Sequence, residues 1–150
     1  MQLYLEDLQV GQRFSTGEFE MTEERIKAFA AEFDPQPFHL DKAAAEASIF
    51  HGLAASGWHT AAVSMRLLVT SGPPFGNGFI GLGAEIAWPR PTRPGDILRV
   101  ESEILEIRRS RSKPDRGIVS IRHVTRNQRD EEAQILTTKM LVFRRPQATA

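Results

Sequence analysis

The sequence predicts an α+β domain in which one long, charge-poor helix is followed by a run of antiparallel strands. Three observations carry this. The 150 residues, 41% hydrophobic and 25% charged, fit a single soluble domain with its own core. Between Glu46 and Glu85 the only charged side chain is Arg66, and the middle of that stretch has helical apolar spacing on most sides, so other structure should wrap it. Beyond it, apolar and polar residues alternate through segments separated by turn residues. No repeat, linker or low-complexity segment divides the chain, and residues 1–150 are read as one domain.

The elements follow in order. Residues 12–19 can form a first short strand. Thr22 is an N-cap, with Glu23 and Glu24 at the positive helix end, and Met21 and Ile26 at the positions of a hydrophobic staple. Ile26, Phe29, Ala30 and Phe33 then mark one apolar helical face. In Asp34-Pro35-Gln36-Pro37-Phe38-His39 two alternate prolines forbid continued helix and predict an extended, rigid segment. Asp41 caps a short helix over 42–47.

Ser56 is the N-cap of the long helix, which runs to about Thr70 and ends at Gly72. Trp58, Ala61, Ala62, Met65, Leu68 and Val69 lie at helical spacing, and the other face, with Val63 and Leu67, is also largely apolar. Strands follow over 79–88, 97–108, 118–125 and 135–143. One slip in the alternation of the second suggests a bulge. The charged stretch 101–132 reads as solvent-facing, His123 included. One helix followed by a curved meander suggests a sheet of about five strands wrapped around that helix.

Composition narrows the chemistry. Formal net charge is zero, so no global field attracts nucleic acid or an anionic membrane. There is no cysteine, which rules out disulfides, thiolate zinc sites and a cysteine nucleophile, and fits a reducing cytoplasm. The first seven residues lack the basic-then-apolar layout of a signal peptide. His51, His59 and the Gly72-Pro73-Pro74 run would be costly in hydrocarbon, so the charge-poor stretch is not read as a membrane span. His39, His51 and His59 match no standard metal-ligand spacing, and no metal site is expected.

The strongest chemical signal is Asp34 and His39, a carboxylate and an imidazole on one proline-bracketed segment, suited to paired acid/base work. Extended, the segment would hold them too far apart, so a turn at Gln36-Pro37 is required. The preceding helix C-terminus should favour protonated imidazole and raise the carboxyl pKa. On spacing alone, a capping carboxylate and a partly exposed histidine is the commoner arrangement.

These residues resemble the D-x-N-P-x-H signature of the MaoC-like hydratases, which include the R-specific enoyl-CoA hydratases. The likeness continues through FHGLAASGWHT at 50–60 and through Trp88-Pro-Arg-Pro and Arg93-Pro-Gly-Asp96, in the expected order over nearly the whole chain. The resemblance implies a hotdog fold, a homodimer or larger homo-oligomer, an acyl-CoA thioester substrate and no cofactor beyond the coenzyme A of that substrate. It implies that Asp34 and His39 hold one water for reversible addition to an enoyl thioester, and that the Gly57 amide binds the thioester carbonyl. Gly57, Ser56 and Gln36 are the expected substrate-binding residues. Independently, an amide in the first turn of a helix is unpaired and backed by the helix dipole. Gln36 stands where the family usually has Asn, and Ser56 where it usually has His, which leaves the acyl group open.

His51 is expected to satisfy a loop backbone group, and His59 to be structural. Trp58 and Met65 are expected in the core or a dimer contact, residues 71–77 in a tunnel wall or a surface loop, and Arg90 and Arg93 in solvent or on coenzyme A phosphates. Two rival readings remain. A hotdog thioesterase typically places a carboxylate on or near the central helix, and none lies between Glu46 and Glu85. A non-catalytic acyl-CoA-binding protein would need neither Asp34 nor His39.

Overall fold

The computed structural model describes residues 1–148. A short 3-10 turn, Leu5–Asp7, precedes two short strands, β1 (Arg13–Ser15) and β2 (Phe19–Met21). Helices α1 (Glu23–Phe33), α2 (Pro37–Leu40), α3 (Lys42–Glu46) and α4 (Gly57–Ser71) follow, then strands β3 (Ile80–Ala87), β4 (Asp96–Arg109), β5 (Arg116–Arg126) and β6 (Glu132–Phe143). The sheet order is β1-β4-β5-β6-β3, with β2 also paired to β4, and every pairing is antiparallel.

The strand count is therefore six among the described residues, against about five expected, because the first strand is split. Thr16 causes the break: its hydroxyl, in place of a backbone carbonyl, accepts from the Val100 amide at 2.9 Å. The ladder stops there and resumes at Phe19 opposite Leu98. The bulge expected in the strand over 97–108 lies between Ile104 and Glu106.

Thr22 caps α1, its hydroxyl accepting from the Arg25 amide at 3.2 Å, and Asp41 caps α3 through the Ala44 amide at 3.0 Å. Two local expectations fail. Pro37 does not hold the next residues extended; it opens the single turn α2, which carries His39. Proline blocks a helix that reaches it but suits the first position of a new one, where its missing N–H is not needed. At the end of the apolar face of α1, Phe33 is exposed.

The core has two parts. One gathers Val63, Leu67 and Leu68 of α4 with Leu98 and Val100 of β4, Met21, Ile26 and Ala133. The other sets Leu5, Leu8 and Phe75 against Ile104, Val119, Ile121, Met140 and Val142. Phe75 is held there by the pairing of its segment to the N-terminus, through Leu3 N–H to Pro74 O at 2.8 Å and Gly76 N–H to Leu3 O at 2.9 Å.

One side of α4 turns inward. Its buried residues are His59, Thr60, Val63, Ser64, Leu67 and Leu68. Trp58, Met65 and Val69 are exposed, as are Ile80 and Leu82 of the edge strand β3. The expected solvation of 101–132 is only half right. Ser102 and His123 are fully buried, with Ser102 Oγ 2.7 Å from His123 Nδ1 and Thr138 Oγ1 3.3 Å from its Nε2. Burial pushes the His123 imidazole down to about 4.

Candidate active site

The residues between α1 and α4 converge on the N-terminus of α4. Asp34 is the C-cap of α1, its amide bound to Ala30 O at 2.9 Å. Gln36 N–H returns to Asp34 O at 2.8 Å, and His39 N–H to Gln36 O at 3.0 Å, which is the turn the spacing required. It brings His39 Nε2 to 3.3 Å from Asp34 Oδ2.

The other ring nitrogen of His39 lies 2.5 Å from the Ala54 carbonyl. A carbonyl can only accept, so Nδ1 carries the hydrogen and Nε2 presents its lone pair to Asp34 when the ring is neutral. Phe38 packs edge-on against the imidazole, with ring centroids 4.5 Å apart.

Asp34 corrects the expected direction of its pKa. Desolvation raises it. The Ser56 hydroxyl, the Gln36 amide and the charge of His39 lower it, and together they hold the carboxyl below its ordinary value. Gln36 Nε2 donates to Asp34 Oδ1 at 2.6 Å, so its side chain is engaged with the carboxylate. Ser56 does not cap α4 with its side chain. Its hydroxyl lies near enough to Asp34 to influence it, yet it is buried outside the geometry of a formed hydrogen bond.

Gly57 opens α4, so its amide has no carbonyl one turn back within the helix. A side chain there would collide with Trp88: a Cβ would lie 2.7 Å from the indole ring. Glycine is required by this close approach. Asp34, His39 and Gly57 all line one cavity of about 440 Å³. Thr60, Trp58, Trp88 and Thr92 also line it. Trp88 and Thr92 escaped the sequence reading as site residues, although the Trp88-Pro-Arg-Pro-Thr92 run that carries them was conspicuous.

The secondary candidates sort cleanly. Arg93 is neither solvated nor free for a phosphate. It donates to the carbonyls of Phe50, Gly52 and Leu53 and so fastens the loop leading into α4. His51, expected on that loop's backbone, is exposed. Arg90 pairs with Glu131 at 3.5 Å. His59 is buried in α4 and stacks on Phe29 at 4.6 Å, and burial with the nearby Arg25 charge drives its pKa down to about 4. Among the described residues, no three His, Asp or Glu side chains gather as a metal site would require, and no helix is long and apolar enough to cross a membrane.

Comparison with known proteins identifies the family and the fold. The MaoC like domain family matches residues 7–127. A Bacillus subtilis protein, YdeM, is 33% identical over 129 residues, covering 84% of this chain and 89% of its own. The crystal structure of a MaoC-like dehydratase from Rhodospirillum rubrum is 59% identical, covers 97% of this chain and 99% of that one, and superposes with a TM-score of 0.96. The R-hydratase PhaJ1 of Pseudomonas aeruginosa, in its unliganded form, is 26% identical over 99% of this chain and 94% of that one, with a TM-score of 0.74. The fold is that of the hotdog MaoC-like structures, and the chain belongs to the MaoC-like dehydratase family.

Proposed function

We propose that this protein is an acyl-CoA hydratase/dehydratase that adds water reversibly across an enoyl thioester to give a hydroxyacyl thioester. The observation that carries the reading is the pairing of His39 Nε2 with Asp34 Oδ2 at 3.3 Å in a cavity shared with the Gly57 amide. The family, and an R-hydratase among the similar structures, support the same reaction class.

The geometry divides the labour. Asp34, held low, is ionised at neutral pH and is the weaker base. His39, fixed in one tautomer by Ala54, offers its lone pair. A water donates one hydrogen to each. His39 takes the proton as the water oxygen bonds to the β-carbon, and the displaced electron pair moves through the α-carbon onto the thioester oxygen. That developing charge lies at the Gly57 amide, with the α4 dipole behind it. The imidazolium, steadied by the Asp34 charge, returns its proton to the α-carbon, and the carbonyl reforms. Dehydration is the reverse. As written, the reaction needs no group beyond these residues and the coenzyme A of the substrate.

The working form is a homodimer in the cytoplasm. Trp58, Met65 and Val69 on α4, and Ile80 and Leu82 on the edge strand β3, are exposed apolar residues suited to cover by a second copy. The thioesterase alternative is disfavoured because α4 carries no carboxylate.

The test is to mix protein with crotonyl-CoA and follow the conjugated enoyl absorbance and free thiol together. Loss of absorbance without thiol is expected, and Asp34→Asn and His39→Ala should each lower kcat by about a thousandfold with the fold intact. Thiol release, or variants as active as the native protein, would overturn the reading.

A further inference from the structure

The geometry points to Trp88 as the residue that limits the substrate to a short acyl group. This rests on the proposed hydratase site and deepens it.

Asp34, His39 and Gly57 share their cavity with the exposed Gln36 and Arg90 and with Trp88. Trp88 is 39% exposed, but its Nε1 edge is turned to the fully buried Gln134, so the indole is the wall between the cavity and the interior. The Trp88 ring covers Gly57, packs edge-on against Trp58 with centroids 5.3 Å apart, and donates from Nε1 to Gln134 Oε1 at 3.0 Å. Thr60 and Thr92, hydrogen-bonded to each other at 2.9 Å, close the wall beside it.

What lies behind Trp88 makes the stop firm. Gln134 is fully buried and donates from Nε2 to Ser64 Oγ at 3.3 Å. Ser64 Oγ donates to Thr60 O at 2.7 Å and lies 2.6 Å from Thr125 Oγ1. Directly behind the indole, the seam between α4 and the sheet is thus a set of paired hydroxyls and an amide. An alkyl chain forced into it would strand these groups without partners, a penalty that grows with each group uncovered. Trp88 can give way only by breaking its bond to Gln134, so the anchor and the barrier are one unit.

The experiment compares crotonyl-CoA with octenoyl-CoA in hydration, and saturated butyryl-CoA with octanoyl-CoA in binding by calorimetry. The native protein should favour the short thioester by about a hundredfold in kcat/KM, with the same order in Kd. Trp88→Ala should raise the octenoyl-to-crotonyl ratio of kcat/KM, and the octanoyl-to-butyryl ratio of affinities, at least about tenfold. Trp88→Leu, a smaller truncation, serves if the first variant folds poorly by circular dichroism. Gln134→Leu frees the indole and should shift the preference the same way, raising octenoyl kcat/KM mainly through KM. Equal use of both chain lengths by the native protein, or an unmoved preference in the Trp88 variants, overturns the inference. Short-chain preference in binding with no hydration of either substrate would instead overturn the hydratase reading and leave the pocket assignment standing.

Discussion

The two faces of α4 solve opposite problems. The face turned toward the sheet carries His59, Thr60 and Ser64 among its buried residues, while the face turned away carries exposed Trp58, Met65 and Val69. Beside the apolar Val63, Leu67 and Leu68 on the inner face, this departs from the usual amphipathic rule for an isolated domain. The inward polar groups are tolerated because most are paired: Thr60 with Thr92, and Ser64 with Thr125 and Gln134. The outward apolar groups have no such account within one chain and mark a surface to be covered. A helix can therefore place its chemistry inside and its contact surface outside, provided the inner polar groups close on one another.

The sharpest way to break this contrast is to charge the outer face. Met65→Glu should convert a dimer to a monomer in sedimentation velocity, while a change on the inner face leaves the association state alone. A monomeric native protein, or a dimer indifferent to Met65→Glu, would show that the outer face is not the contact.

Acid probes the inner side of the fold. An unfolded imidazole titrates near 6.5, whereas buried His123 titrates at about 4. Above pH 6.5 both states are neutral and nothing changes. As pH falls, the unfolded chain binds the proton first, and stability declines until pH passes about 4. His123 alone should account for about 3 kcal/mol between neutral pH and pH 4, measured by urea unfolding. His59, also lowered to about 4 by burial and by Arg25, acts with the same sign. His123→Gln should flatten the decline, and an unchanged slope would remove His123 as its source.

The smallest expected effect is on the seam itself. Ser64→Ala leaves Thr125 and Gln134 each one partner short and should cost about 1–3 kcal/mol of stability, read as a lower urea midpoint at unchanged slope. A neutral result would mean that the seam relaxes around the loss.

How much of this was legible in the sequence depends on what the signal was. Asp34 and His39 announced themselves by residue type, prolines and order along the chain, and the Thr22 and Asp41 caps by local chemistry. The direction of the Asp34 pKa was not legible, because it depends on the nearby Ser56 hydroxyl, the Gln36 amide and the His39 charge and not on the helix terminus alone. The facing of α4 was not legible either: both sides are rich in apolar residues, and periodicity cannot say which side turns inward. His123 misled because its neighbours Arg122 and Arg126 are charged, yet alternation in β5 sends it to the opposite face from Arg122. Trp88 acquired its role only from tertiary contacts with Gly57 and Gln134, far apart in sequence.

Whether Asp34 and His39 deliver water to carbon is tested most directly by turnover of crotonyl-CoA in water enriched in heavy oxygen, with mass spectrometry of the product. The account predicts label in a new hydroxyl on the β-carbon, with the thioester intact. Label in a free carboxylate, with coenzyme A released, would contradict it.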